Sequence, residues 1–350
     1  MNKILISLFV TFLFYQISYA GKVINSNQFN ETAPYFIMVY PPFTITNCSM
    51  GSFDNNTGDL TLYTDESYFG GSRWFVRYDY INKIGIFASS NDQIFTPPQI
   101  VTVVQVNTSE VLVNATTRGW AIRSLDYDMD TGIVYAFNVN NDPDSDWWFP
   151  TLNILVFPDP FGKIQRKPLV SLPVGQTLLP YFRNERLSTT YDKYHKQLFV
   201  LSTMYNEHQN YLTTINVESA SVSYNVSILP VKWIPWQLIY SPQDDLVYVF
   251  TYDIGMINQY LIGINYTTGE IVEQVYKNYI PFAYCWSIIE ETNTVFASDS
   301  TENPNGSFDA KFLYINLNTK EQWYSEPLPK GDYFWNNIMY TQYIPEEYRN

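Results

Sequence analysis

The chain has 350 residues, with 34 Asp and Glu against 20 Lys and Arg, for a formal net charge of −14. That balance argues against nucleic acid and anionic membrane surfaces as partners. Two cysteines cannot make a disulfide scaffold, so an apolar core must supply the stability.

Residues 1–20, MNKILISLFVTFLFYQISYA, run from Lys3 through an apolar stretch to a small-residue SYA end. This is the order of a secretory signal peptide, cleaved after Ala20. The apolar run is shorter than the ~20 residues a membrane span needs. No later segment reads as a span either, so the mature chain is expected to be secreted. Eight N-x-[ST] sequons, at Asn30, Asn47, Asn55, Asn107, Asn114, Asn225, Asn265 and Asn305, fit a glycosylated extracellular surface.

From residue 21 onward the sequence repeats. SFDNNTGDLTLY (52–63), VVQVNTSEVLV (103–113), LNILVFPDPFGKI (152–164), LTTINVESASVSY (212–224), YLIGINYTTGEIVEQ (260–274) and FLYINLNTKEQWYS (312–325) each read as strand, polar turn, strand. Their turns, at Gly58, Ser109, Gly162, Ala220, Gly269 and Lys320, recur about every fifty residues. A second hairpin alternates with the first: RWFVRYDYINKIGIF (73–87), WAIRSLDYDMDTGIVYAF (120–137), RLSTTYDKYHKQLFVL (186–201), WQLIYSPQDDLVYVF (236–250) and WSIIEETNTVF (286–296). Aromatic residues, 18% of the chain, suit such strands. Two hairpins per period make the four-stranded blade of a β-propeller.

The segment 335–350 begins a further unit, and about 23–70 lacks the inner strand it would need. The two fragments complete one another, which predicts a single all-β domain over 21–350, a six-bladed β-propeller with four-stranded blades. The closing blade is formed by about 23–70 plus 335–350. The widest spacing between turns places an insertion at about 163–186, rich in Lys163, Arg166, Lys167, Arg183 and Arg186. YLIGINYTTGEIVEQ resembles the outer hairpin of quinoprotein-like and YVTN-type propellers. The quinoprotein tryptophan-docking pattern does not follow the turn, so the resemblance implies architecture only, with no cofactor and no catalytic residue.

Asp126, Asp128 and Asp130 alternate ahead of Thr-Gly, as calcium loops begin. The sixth and twelfth positions are Thr131 and Phe137 rather than Gly and Glu, and the sibling blades have turns there. Turn chemistry is therefore the expectation, and no metal site is assigned. The loop NNDPDSDWW (140–148) also alternates aspartates without a closing ligand. His195 and His208 have no metal-ligand spacing, and no nucleophile elbow or phosphate loop is present.

The inner units begin with Trp74, Trp120, Arg186, Trp236, Trp286 and Trp335, which would place indoles around one channel mouth to stack on sugars or grip a peptide. Packing between blades is the competing role. Three positions on, Arg77 and Arg123 interrupt apolar strands; they would hold an anionic ligand or pair internally with Asp79, Asp126 or Glu290. Cys48 and Cys285 fall on neighbouring blades and are a candidate bridge. The function expected is binding of an extracellular glycan or protein at the channel mouth. The alternatives are an extracellular hydrolase or lyase acting on glycans or lactones, and a structural component of a secreted coat.

Overall fold

A computed structural model of the chain describes residues 24–25, 35–40, 49–54, 59–63, 72–79, 81–90, 98–106, 108, 110–140, 150–173, 176–177, 188–204, 209–230, 233–253, 257–279, 283–302, 308–325 and 334–340. Residues 1–20, Cys48, His208, Arg186 and residues 141–149 lie outside them.

Runs of β-branched and aromatic residues form antiparallel four-strand sheets in sequence order. Blade I takes Ser72–Asp79, Ile84–Ser90, Gln99–Gln105 and Glu110–Thr116. Blade II takes Trp120–Asp128, Ile133–Asn140, Thr151–Val156 and Gln165–Ser171. Blade III has its innermost strand in two pieces, Gln176–Thr177 and Thr189–Asp192, both paired with Gln197–Met204; Gln209–Asn216 and Ser221–Pro230 follow. Blade IV takes Trp233–Ser241, Leu246–Asp253, Asn258–Ile264 and Ile271–Tyr279. Blade V takes Ala283–Ile289, Thr294–Glu302, Phe308–Asn316 and Gln322–Tyr324.

Where the sequence predicts six four-stranded blades, the structure shows five blades cut from continuous chain. The remaining sheet differs in kind. It has five strands in the order Ile24–Asn25, Asp59–Tyr63, Ser49–Asp54, Tyr35–Tyr40, Phe334–Tyr340, so it joins both ends of the chain. The strand missed from sequence is Ile24–Asn25, two residues long and parallel to Asp59–Tyr63. Phe334–Tyr340 touches the innermost strands of blades V and I, and each innermost strand touches the next around the ring. The chain is a β-propeller. Among the described residues no helix is long and apolar enough to cross a membrane.

The core lies between blades rather than within them. One cluster joins Ile86, Ala88 and Val101 of blade I to Ile122, Leu125 and Val134 of blade II. Others join Tyr135 and Phe137 to Leu198 and Val200, Phe199 and Leu201 to Leu238 and Val249, and Phe250 and Leu261 to Val295 and Leu313. A strand inside a blade is thus apolar on both faces, as Gln197–Met204 illustrates, because another blade covers each one.

The inner hairpins turn in one way. The last turn residue has positive φ in all five blades, at Lys83, Gly132, Lys196, Asp245 and Asn293, though only one is glycine. In blades I, II and III the aspartate ending the inner strand caps the turn. Asp79 Oδ1 accepts from the backbone N–H of Ile81 and Asn82, Asp192 Oδ1 from Tyr194 and His195, and Asp128 Oδ1 from Asp130. This is why aspartate recurs there.

At the opposite end each inner strand slips register. Trp74, Arg123, Trp236, the pair Cys285–Trp286, and Asn336 are skipped in the pairing with their neighbours. Blade III is interrupted at the same level, between Thr189 and the Gln176–Thr177 piece. A bulge exposes backbone groups that the ladder no longer pairs. Polar side chains from the adjoining blade meet them. Gln237 accepts from the Trp286 N–H at 3.1 Å and donates to its carbonyl at 2.6 Å. Gln99 makes the same pair of bonds to Ile122, and Ser188 Oγ accepts from Leu238 N–H at 2.8 Å.

Replacing Gln237 by Ala leaves the Trp286 peptide groups without partners and is expected to cost about 1–3 kcal/mol. Urea unfolding checks this; an unchanged midpoint would mean the clasp adds nothing net.

Candidate functional site

The innermost strands line the ring, and their side chains were the candidates. Trp120 is buried in the seam between blades I and II, packed with Ile86, Val101 and Ala115, and the Arg166 guanidinium lies 5.4 Å from its ring centroid. Trp286 is 3% exposed in the seam between blades IV and V. Its ring stacks on Phe250 at 3.7 Å and meets Tyr276 edge-on at 6.0 Å. These two indoles sit in blade packing. Trp74, Trp236 and Trp335 fall in strands, but their side chains lie outside the described residues, as does that of Cys285.

The six candidates do not share one register position. Counted from the inner turn, Arg123 of blade II matches Trp74 of blade I, because Asp79 pairs with Ile84 as Asp128 pairs with Ile133. Trp120 stands three residues earlier, at the start of its strand.

Arg77 is a seam residue. Its Nη2 and Nε donate to Asp126 Oδ1 at 2.8 and 3.2 Å, and the Thr189 hydroxyl of blade III donates to Asp126 Oδ2. One buried carboxylate therefore ties three blades together. Arg123 is buried at the register slip.

The alternating aspartates are each accounted for. Asp128 caps its turn and also accepts from the Tyr191 hydroxyl at 3.1 Å, while Lys196 Nζ lies 2.9 Å from Asp130 Oδ2 and 3.4 Å from Asp128 Oδ2. Thr131 Oγ1 donates to Asp128 Oδ2 where a calcium loop would place a ligand for the ion. Among the described residues no group of three or more His, Cys, Asp or Glu is set to hold a metal.

Three inner turns converge on Glu290. Its Oε2 accepts from the Tyr194 hydroxyl at 3.1 Å and lies 3.7 Å from Lys193 Nζ, both from blade III. Its carbonyl accepts from Gln243 Nε2 of blade IV at 2.6 Å. Blades III and V are not neighbours, so this contact reaches past the end of blade IV. Sequence spacing placed all three in turns but could not bring them together. Beside them, His195 Nδ1 is 2.7 Å from Asp192 Oδ2, and its side chain is more than half exposed.

Tyrosines in the seams are held protonated. Burial first, then Asp79, pushes the Tyr127 phenol up to about 12. Burial and Asp245 do the same to Tyr266, also to about 12. Tyr191, Tyr240 and Tyr248 are pushed higher still, by burial and by neighbouring carboxylates.

The basic stretch expected as an insertion begins as structure: Gln165–Ser171 is the outer strand of blade II and carries Arg166 and Lys167. Of the sequons, Asn114 and Asn225 lie in outer strands and Asn265 opens an outer turn. Asn225 Oδ1 accepts from Gln176 and Thr213, and Asn265 Oδ1 from the Thr267 N–H and hydroxyl. Asn30, Asn47, Asn55, Asn107 and Asn305 lie outside the described residues.

No protein-family model matches the sequence, and no curated protein matches it. Among solved structures it is similar to a candidate 6-phosphogluconolactonase from Bacteroides fragilis, with TM-score 0.52 and 9% identity over 85% of this chain and 83% of that one. A second, from Bacteroides uniformis, gives TM-score 0.51 and 11% identity over the same shares. At this identity the likeness is one of fold.

Arg77→Ala removes the countercharge of the buried Asp126 carboxylate, leaving it Thr189, and is expected to destabilise by about 2–3 kcal/mol, read from chemical unfolding. A ligand-only role for Arg77 predicts no change. The tyrosines give a second test. Their folded values lie above the ordinary value of about 10, so the folded state keeps protons that the unfolded state releases. Their contribution is full below about pH 10 and lost above it. Spectrophotometric titration should show phenol ionisation delayed and coincident with alkaline unfolding.

Proposed function

We propose that the mature chain is an exported, glycosylated propeller that binds an extracellular ligand, glycan or protein, at one mouth of its channel. The sheet joining the two chain ends is, in this reading, the sixth and closing blade. The carrying observation is the asymmetry between the two ends of the blades. At one end every inner hairpin of blades I to V is closed by four residues: 80–83, 129–132, 193–196, 242–245 and 290–293. The aspartates there are committed to capping and to seams.

At the other end the connections between second and third strands vary, from four residues in blade III (205–208) to ten in blade II (141–150). The chain also crosses between blades there, most extensively from Ser171 to Thr189. Uniform turns make a scaffold, whereas long variable connections on a rigid scaffold carry recognition. Trp120 and Trp286 belong to this second end, and the sequence of the blade II connection carries Trp147 and Trp148.

A glycan array tests the reading with the secreted chain and a variant in which 141–150 is replaced by a four-residue Gly/Ser turn. Binding by the native chain that is lost in an equally stable variant supports it. Binding that survives the replacement removes the blade II connection from the site, and an empty array sends the search to protein partners.

The second reading is an extracellular hydrolase or lyase on glycans or lactones, the two similar structures being candidate lactonases. The observation in this chain that favours it is the exposed His195 paired with Asp192, an arrangement suited to a general base. Turnover of a lactone panel that disappears in His195→Ala would establish it.

A further inference from the structure

Two buried polar atoms in the seam between blades IV and V have no partner. Asp299 is 7% exposed and its Oδ1 accepts no hydrogen bond; Trp286 is 3% exposed and its Nε1–H donates none. Leaving either unmet costs about 1–3 kcal/mol, so each needs an explanation.

The two lie on the same side of blade V. Trp286 packs with Ala297, Leu313 and Phe250 in the seam cluster. Asp299 is two residues from Ala297 on the strand Thr294–Glu302, so its side chain leaves the sheet on that face. It also stands toward the end of variable connections, since Thr294 follows the inner turn. Lys311 is its cross-strand partner, and Tyr324, opposite Leu313, reaches across to hydrogen-bond it.

Burial holds the Asp299 carboxyl above its ordinary range, with Tyr324 and Lys311 pulling the other way. Lys311 already supplies the countercharge. What Asp299 Oδ1 lacks is a donor beyond Tyr324, and what Trp286 Nε1 lacks is an acceptor; hydroxyl groups supply both. Tyr324 adds an aromatic face: it is 49% exposed, on the edge strand Gln322–Tyr324, which is exposed throughout. An aromatic face beside a carboxylate and an N–H is the chemistry of carbohydrate recognition.

We propose that the seam between blades IV and V is a subsite for a neutral carbohydrate, whose hydroxyls donate to Asp299 and accept from Trp286 while its ring lies against Tyr324. The proposal rests on the glycan-binding reading and gives that reading a location and a ligand class.

The test uses the full secreted chain, with the methyl glycosides of glucose, galactose and mannose as probes and n-butylamine as a cationic control, in titration calorimetry beside the glycan array. Asp299→Leu and Trp286→Phe remove the two unmet groups, and urea unfolding verifies that each variant folds. The expected result is saturable binding of at least one glycoside to the native chain, weakened tenfold or more in both variants, with no binding of the amine. Glycoside binding unchanged in folded variants overturns the subsite and leaves glycan binding standing. A positive array without glycoside binding does the same. An amine bound through Asp299 overturns the ligand class, and an empty array with no glycoside binding overturns subsite and reading together.

Discussion

Each blade has two apolar faces and no core of its own. Phe137 of blade II packs on Leu198 of blade III, and Phe250 of blade IV on Trp286 of blade V, so an isolated sheet would expose one or both faces. Such a blade is stable only between two others, and a row of blades is stable only when closed. The sheet shared by the chain ends follows from that requirement. Phe334–Tyr340 stands beside Ala283–Ile289 of blade V and Ser72–Asp79 of blade I, and it is hydrogen-bonded to Tyr35–Tyr40. Pairing the ends couples the first and last parts of the chain, which makes opening of the ring a cooperative event.

Apolar packing does not by itself fix how one blade stands against the next. The polar groups in the seams do. Gln99 and Gln237 each make the same two bonds to the next blade's backbone at the level where the inner strand slips. Further down, Arg77, Asp126 and Thr189 link three blades through one carboxylate. These bonds can form at one register only, whereas leucine against valine tolerates small shifts. The outer edges are covered in a related way. Residues 160–164 of blade II hydrogen-bond the outer strand of blade I at Asn114 and Thr116. Gly269 of blade IV comes so close to the Ser227 carbonyl of blade III that a Cβ would lie 2.3 Å from it, and its φ is +77. An outer strand covered by its neighbour's loop is protected from pairing with another chain.

The hairpins were legible in the sequence because turn chemistry repeats. Ala220, Gly269 and Lys320, read as turn anchors, are the positions that take positive φ. Asp79, Asp128 and Asp192 were legible as turn residues for the same reason. The tryptophan alignment failed because the tryptophans stand at different distances from their inner turns, and only the turn fixes the register. Trp74 and Trp236 stand at the slip, whereas blade II puts Arg123 there and Trp120 three residues earlier. The stretch after Lys163 read as an insertion because an outer edge strand faces water on one side and so carries charge like a loop. The meeting of Lys193, Tyr194 and Gln243 at Glu290 depends on the ring's curvature, which no local pattern encodes.

The two ends of the ring therefore obey different constraints. At the turn end, capping aspartates, positive-φ residues and cross-blade ion pairs leave few side chains uncommitted, and any change there works against packing. At the other end, the slip in each inner strand interrupts the ladder, and the connections are free to differ in length. Asp299 and Trp286 belong to that second end, in a seam where Gln237 meets both peptide groups of Trp286. Two unmet groups in a packed seam carry a cost in stability that packing alone gives no reason to retain. A ligand that meets both groups would turn that cost into affinity, because the seam is already ordered before the ligand arrives.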